Sequence, residues 1–393
     1  KDFIDDAKIE KILEESRNPD PVRVQEIIDK AREHKGLTPR ETAVLLQADD
    51  RELVEVMWAA AREIKRAIYG NRLVLFAPLY IANYCSNNCL YCGFRKDNKD
   101  LNRVALTMEQ IADEVRTLER EGHKRLLMLC GEHPGRPSLD YFIEAIETAY
   151  ATKTEKGGEI RRINVEIAPM SVEEFKRLKA AKIGTYVLFQ ETYHHETYKK
   201  MHPTGPKSDY LRRLTAMDRA QQAGIDDVGI GALFGLYDYK FEVLGLLFHA
   251  LHLDSEFGTG PHTISVPRLE PALNAPAAIK PPMPVSDDAF KKLVAVIRMA
   301  VPYTGMILST RETPELRREV FELGISQISA GSRTNPGGYR KDSNEGFRAA
   351  QFNLGDTRTL DEVIQDIALK DHIPSFCTAC YRLGRTGQDF MEL

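Results

Sequence analysis

Eight short apolar segments recur between residues 73 and 331, and they constrain the fold more than any other feature of the chain. They read RLVLFAPLYIANYC, RLLMLCGE, RRINVEIAP, GTYVLFQE, DDVGIGALFGL, HTISVPRLEP, GMILST and ISQISAG. Each segment but the last is followed by an amphipathic helical pattern, such as TMEQIADEVRTLEREG, or by a longer connection. Repeated strand–helix units predict a parallel sheet covered by helices, and eight of them predict a closed (β/α)8 TIM-type barrel. An open doubly wound sheet is the competing arrangement.

The sequence divides into three parts around this barrel. Residues 1–70 carry apolar side chains at three- and four-residue steps, which predicts an N-terminal helical extension. Residues 71–335 form the predicted barrel. Residues 336–393 form a C-terminal helical tail, with one helix predicted at TRTLDEVIQDIALK and a separate cysteine-containing segment after it.

Charge and hydropathy argue against a nucleic-acid-binding surface and against a membrane span. The chain of 393 residues has 54 Lys and Arg against 58 Asp and Glu, a net charge of −4, which disfavours a nucleic-acid surface. It contains no apolar run long enough to cross a bilayer, and its first residues are charged rather than signal-like. We therefore expect a cytoplasmic, reducing location, where clustered cysteines are metal ligands or redox groups.

Three of the six cysteines, Cys85, Cys89 and Cys92, follow the first predicted strand. In a TIM-type barrel the chemistry lies at the carboxyl ends of the strands, so this position suits a functional site. The CxxxCxxC spacing suits a [4Fe-4S] cluster in which one iron has no protein ligand and can bind a substrate or cofactor. Zinc is the alternative, and it would need a fourth ligand, with His34 or His123 as nominal donors.

CxxxCxxC with an aromatic residue, Tyr91, before the last cysteine resembles the radical S-adenosylmethionine (SAM) superfamily. That resemblance implies that SAM binds the open iron and is cleaved reductively. Gly131 and Glu132 of CGEHP resemble the stretch that holds the methionine amino group of SAM. Glu191 of FQET resembles a carboxylate that contacts its ribose or methionine, and Arg213 of YLRRLTAMDRA resembles the arginine that pairs with its carboxylate. A solvated helix charge is the alternative for Arg213.

The segments APLYIANYCSNNCLYCGF, VPRLEPA, LSTRE and QISAGSRTNPGGY resemble the tyrosine lyase branch of that superfamily, over nearly the whole chain. This branch contains 2-iminoacetate synthases and [FeFe]-hydrogenase maturases of the HydG type. The resemblance implies cleavage of the Cα–Cβ bond of L-tyrosine to p-cresol and dehydroglycine. Arg311 would clamp the tyrosine carboxylate with two hydrogen bonds, with Arg268 as the next candidate. Tyr80 and Ser329 match other substrate-side positions, although ordinary packing in the barrel is an equal alternative for each.

The tail separates the two kinds of tyrosine lyase. Cys377 and Cys380 form a CxxC that resembles the maturases and implies an auxiliary iron–sulfur cluster, although an isolated CxxC also binds zinc. In those maturases a third cysteine, which would here lie beyond Leu393, completes the cluster. An extra iron there receives CO and cyanide made from dehydroglycine and takes a histidine from the barrel. His252 and His262 both fit that role.

The resemblance as a whole implies a maturase of the HydG type. Its partners would be an electron donor such as a flavodoxin or ferredoxin, and other hydrogenase maturation proteins. A 2-iminoacetate synthase is the first alternative, and it would stop at dehydroglycine. A non-catalytic iron–sulfur carrier is the second, and it would need neither the SAM-binding residues nor the Arg311 clamp.

Overall fold

The computed structural model describes residues 1–133, 135, 137–340 and 346–377. Four helices precede the sheet: α1 (Asp6–Glu15), α2 (Pro21–Ala31), α3 (Pro39–Gln47) and α4 (Arg51–Tyr69). Each begins after a residue whose side chain accepts a hydrogen bond from the first turn, namely Asp5, Asp20, Thr38 and Asp50. These helices occupy the segment in which the sequence predicts a helical extension.

Eight parallel strands close into a barrel, as the apolar segments predict. They are β1 (Arg72–Ala82), β2 (Arg125–Cys130), β3 (Arg162–Glu166), β4 (Tyr186–Glu191), β5 (Val228–Ala232), β6 (Thr263–Ser265), β7 (Gly305–Leu308) and β8 (Gln327–Ser329). Consecutive strands pair with one another, and β1 pairs with both β2 and β8. This closure confirms the TIM-type barrel over the open doubly wound sheet.

Helices cover the outside of the barrel and connect its strands. They are α5 (Met108–Glu121), α6 (Leu139–Ala151), α7 (Val172–Ala180), α8 (His195–Met201), α9 (Tyr210–Leu214), α10 (Ala216–Gln222), α11 (Tyr239–Phe257), α12 (Pro276–Ile279), α13 (Asp287–Ala300) and α14 (Pro314–Leu323), with a 3-10 turn at Pro206–Ser208. The N-terminal extension packs onto this layer, because α4 contacts α13 and α14. Among the described helices, none combines the length and the apolar character that a bilayer crossing requires.

The tail contains the predicted helix and, in addition, a strand that joins the sheet. After α15 (Gly346–Ala349) and α16 (Leu360–Leu369), a ninth strand, β9 (Ile373–Ser375), pairs in parallel with the first residues of β1. An ion pair without solvent exposure anchors the tail, since Arg317 Nη1 of α14 lies 2.7 Å from Asp356 Oδ2. Removing either partner of such a pair would leave a buried charge, so this contact fixes the path of the tail over the barrel.

A candidate active site at the carboxyl end of the barrel

The carboxyl ends of the strands surround a cavity whose empty volume, including its open mouth, is about 1500 Å³. Most of the predicted site residues line it: Tyr80, Cys85, Cys89, Tyr91, Cys92, Gly131, Glu132, Glu191, Arg213, Arg311 and Ser329. Side chains that are far apart in sequence therefore share one cavity.

Backbone hydrogen bonds from three separate segments fix the loop that carries the cysteines. Ser86 N donates to Glu132 O beyond β2 at 2.7 Å, and Leu90 N donates to Met201 O at the end of α8 at 3.0 Å. Gly93 N donates to the Gln351 carbonyl of the tail at 2.9 Å. Because these anchors come from three sides, they orient the loop before any metal binds.

The three thiols are buried in the cavity. Burial raises the pKa of Cys89 to about 12 and that of Cys92 to about 11, and it also raises the pKa of Cys85. Iron would therefore replace protons when it binds these sulfurs. Among the described residues, no three Cys, His, Asp or Glu side chains converge on a single metal-ion position. A cubane cluster does not require such convergence, because each thiolate binds a different iron atom.

The donor set fits an iron–sulfur cluster better than zinc. Of the described residues that line the cavity, none is a histidine. His123 is fully buried and lies two residues before the start of β2, which places it at the amino end of the barrel, away from the cysteines. His34 lies in the extension, between α2 and α3. Neither of the nominal zinc donors reaches the site, which leaves the three thiolates with an open position.

Gly131 allows the segment after β2 to pass close to the cysteine loop. A Cβ atom at this position would lie 2.3 Å from the carbonyl oxygen of Tyr84, so only glycine fits. The next residue, Glu132, accepts a hydrogen bond from Asn87 Nδ2 at 2.8 Å. The structure thus brings both residues predicted from CGEHP directly beside the cysteine loop.

A charged group formed by Glu191, Lys207 and Arg213 lies on another side of the cavity. Lys207 Nζ donates to Glu191 Oε1, and Arg213 Nη2 lies 3.5 Å from the same oxygen. Burial raises the pKa of Glu191, but the two cations outweigh it and leave the pKa below its ordinary value. Arg213 is buried and also donates to the Phe189 carbonyl at 2.6 Å. It is therefore not the solvated helix charge that was its alternative.

Glu191 is held in an unusual backbone conformation. Its φ is +71°, in the left-handed region, and the pairing of β4 with β5 shifts register between Phe189 and Glu191. Such irregularities re-aim side chains and are frequent beside active sites. Here the irregularity accompanies a carboxylate that faces the cavity.

Tyr91 is fixed by a histidine and a lysine. Its hydroxyl lies 2.7 Å from His202 Nε2, and Lys207 Nζ lies 5.5 Å from the centre of its ring. His202 Nδ1 in turn lies 2.7 Å from the Tyr198 carbonyl oxygen. This chain of contacts gives the aromatic residue between the second and third cysteines one orientation.

Arg311 presents its guanidinium to the cavity, whereas Arg268 does not. The Arg311 guanidinium carbon lies 3.4 Å from the centre of the Phe352 ring. Arg268 Nε lies 3.0 Å from each carboxylate oxygen of Glu312, and Arg268 Nη1 lies 2.9 Å from Asp287. The second candidate for the carboxylate clamp, Arg268, is therefore already occupied by acidic side chains of this chain.

Tyr80 and Ser329 line the cavity, and each also makes a hydrogen bond within the chain. The Tyr80 hydroxyl donates to Gln351 Oε1 at 2.6 Å. Ser329 Oγ accepts a hydrogen bond from Thr310 N at 3.1 Å, which ties β8 to the segment after β7. Their predicted substrate-side roles stay predictions.

The candidate ligands of the auxiliary cluster that the structure describes lie away from this cavity. Cys377 follows β9, which pairs with the start of β1, and His262 directly precedes β6, so both lie at the amino end of the barrel. His252 instead contacts Asp218 at 3.1 Å, and its ring stacks on Phe3 with centroids 3.8 Å apart. Cys380 lies outside the described residues.

Glu166, Lys207 and Phe352 also line the cavity, although none was expected from the sequence. Glu166 could have been found, because it lies in the third apolar segment, two residues after the inward-facing Asn164 and so on the same face of the strand. Lys207 lies in a single 3-10 turn and Phe352 in an irregular segment, and in neither place does a periodic pattern indicate which way a side chain points.

Two family models match consecutive parts of the chain. Residues 79–246 match the model of the radical SAM superfamily, and residues 265–372 match the Biotin and Thiamin Synthesis associated domain. The chain is 30% identical over 366 residues to the 2-iminoacetate synthase of Salmonella typhimurium, a match that covers 92% of each protein.

Two solved structures match the chain over nearly its whole length. A crystal structure of HydG, described as a maturase of the [FeFe]-hydrogenase, is 56% identical with a TM-score of 0.94, over 100% of this chain and 84% of that one. The HydG maturase from Carboxydothermus hydrogenoformans is 46% identical with a TM-score of 0.88, over 96% of this chain and 85% of that one.

Proposed function

Because this chain belongs to the radical SAM superfamily, we propose that it is a tyrosine lyase of the hydrogenase-maturase type. It cleaves the Cα–Cβ bond of L-tyrosine to p-cresol and dehydroglycine. It then converts dehydroglycine to CO and cyanide for the metal site of an [FeFe]-hydrogenase. The observation that carries this proposal is the match to HydG over the entire chain at 56% identity.

The residues of the cavity support binding of a [4Fe-4S] cluster and SAM. Cys85, Cys89 and Cys92 would each bind one iron of the cluster, and the fourth iron would have no protein ligand. Glu132, Glu191 and Arg213 offer the two carboxylates and the guanidinium that the amino, ribose and carboxylate groups of SAM would need. When bound, the two groups supply the one-electron chemistry that removes a hydrogen atom from the substrate.

The substrate side of the cavity supports recognition of an amino acid. The Arg311 guanidinium, stacked on Phe352, matches a carboxylate with two parallel hydrogen bonds. Tyr80 and Ser329 line the same cavity.

The tail would carry the second half of the chemistry. We assign Cys377 and Cys380 to an auxiliary cluster and favour His262 over His252 as its barrel histidine. The reason is that His262 directly precedes β6 and lies at the same end of the barrel as Cys377. His262 also faces a carboxylate, with its Nδ1 3.6 Å from Asp227 Oδ1, whereas the ring of His252 on α11 is stacked on Phe3. An electron donor such as a flavodoxin or ferredoxin and further hydrogenase maturation proteins would be its partners.

Product analysis tests this proposal against both alternatives. Reduced, reconstituted protein should convert SAM and L-tyrosine to 5′-deoxyadenosine and p-cresol, and it should release CO and cyanide or their iron complex. A 2-iminoacetate synthase would give p-cresol without CO or cyanide. An iron–sulfur carrier would give no p-cresol, and that result would refute the lyase assignment.

A further inference from the structure

Three carboxylates of the described part of the chain line the cavity, and their partners differ. Glu132 accepts a hydrogen bond from Asn87, and Glu191 is paired with Lys207 and Arg213. Among the described residues, none makes a hydrogen bond or an ion pair with the carboxyl group of Glu166, which ends β3 and faces the cavity. Among the described residues, Glu166 is therefore the cavity carboxylate that is available to pair with a ligand.

Arg311 is a cation of the same cavity that also lacks an ion-pair partner among the described residues. Its guanidinium stacks on the Phe352 ring, but within the described part of the chain it forms no ion pair. Arg311 and Glu166 lie near enough to influence each other's pKa, and yet their charged atoms are farther apart than the 4.0 Å of an ion pair. A half-buried charge without a partner is costly, so each of the two calls for a ligand group of opposite sign.

We propose that Glu166 recognises the α-ammonium group of the substrate while Arg311 binds its carboxylate. This inference rests on the proposed function, in which the substrate is L-tyrosine. The two charged groups of an α-amino acid are attached to one carbon atom. A zwitterion can therefore bridge a carboxylate and a guanidinium that face one cavity without touching each other.

The surroundings of Glu166 agree with this role. Burial, and after it the negative charge of Glu191, raise the pKa of its carboxyl group to about 7. Lys207, Arg213 and Arg311 act in the opposite direction, and the Tyr80 hydroxyl is a further titratable neighbour. A bound ammonium group would stabilise the carboxylate form, as a neighbouring cation does for any carboxyl group. Glu191 cannot take this role, because two cations already engage it.

The test compares two ligands that differ only in the amino group. L-tyrosine is the substrate, and 3-(4-hydroxyphenyl)propanoate, which lacks the amino group, serves as a competitive inhibitor of p-cresol formation. The variant is Glu166→Gln, which keeps the shape of the side chain and removes its charge. The matched control is Glu270→Gln, because Glu270 also influences the pKa of Arg311 but is not among the described residues that line the cavity.

We expect Glu166→Gln to raise the KM for tyrosine by at least about tenfold, since a hydrogen bond to a charged group is lost. The inhibition constant of the propanoate should change by less than about threefold, because that ligand never used Glu166. Glu270→Gln should leave both constants within the same margin. Glu166→Asp, which keeps the charge, should recover part of the tyrosine affinity. Iron content and unchanged propanoate binding show that each variant is folded.

Two results would overturn the assignment. An unchanged KM for tyrosine in Glu166→Gln would show that the ammonium group binds elsewhere. A raised KM for SAM with an unchanged KM for tyrosine would assign Glu166 to the cofactor. Both results require that the wild-type protein makes p-cresol. If the wild type makes none, the proposed function itself fails, so the two failures are distinguishable.

Discussion

Replacing Arg311 by lysine tests the substrate side of the cavity most directly. The change keeps the positive charge but removes the planar pair of donors and weakens the contact with Phe352, whose ring centre lies 3.4 Å from the guanidinium carbon. Among the described residues, Arg311 has no ion-pair partner that a lysine would release or acquire. The whole effect should therefore fall on the ligand.

The loss corresponds to about one charge-assisted hydrogen bond, roughly 1.5–3 kcal/mol. At 1.4 kcal/mol per factor of ten, kcat/KM for tyrosine should fall by about 10- to 100-fold. The assay is the initial rate of p-cresol formation over a range of tyrosine concentrations at saturating SAM. Formation of 5′-deoxyadenosine in the absence of tyrosine should change by less than about twofold, because Arg311 would not contact SAM.

Arg268→Lys is the matched control. It makes the same substitution at the position that sequence alone leaves as the second candidate, but the structure engages this arginine with Glu312 and Asp287. Its kcat/KM for tyrosine should stay within about threefold of the wild type, since no ligand contact is removed. A large loss in Arg268→Lys with normal turnover in Arg311→Lys would refute the reasoning and move the clamp.

Three further predictions concern the clusters and the pH dependence. Cys85→Ala should lose the cavity cluster, which is measured by iron content and by 5′-deoxyadenosine formation. The control Cys130→Ala removes another thiol of the same cavity and should keep its iron. Normal SAM cleavage in Cys85→Ala would refute the ligand assignment. Replacing Cys377 and Cys380 by serine should leave p-cresol formation within a few-fold of the wild type but abolish the release of CO and cyanide. The reason is distance, because the part of β1 from Val74, which pairs with β9, to its end at Ala82 spans about 26 Å at about 3.3 Å per residue. Release of CO and cyanide at the wild-type rate would contradict the tail assignment. The KM for tyrosine should fall as the pH rises from about 6 to about 8, because Glu166, with a pKa of about 7, loses its proton over this range and becomes a carboxylate. This pH dependence should be absent in Glu166→Gln.

The sequence predicts those parts of this protein that depend on local pattern. Each barrel strand lies within one of the eight mainly apolar segments, because a parallel strand covered on both sides has little polar surface, and all eight segments contain a strand. The cysteine cluster is readable for a similar reason, since its three ligands lie within eight residues of one loop after β1. Family resemblance adds Gly131, Glu132, Glu191 and Arg213, and all four line the cavity.

Tertiary structure decides how the side chains of the cavity are partnered. The three residues of β9 give too short a pattern to predict, and only the start of β1 provides them with a partner strand. Likewise, nothing local distinguishes Arg311 from Arg268 or Glu166 from Glu191. Whether each charge is already neutralised depends on residues such as Glu312 and Lys207, which are brought beside it by segments distant in sequence. The sequence of this protein therefore determines its barrel and cluster loop, whereas the charges available to a substrate are set by which segments the closed barrel brings together.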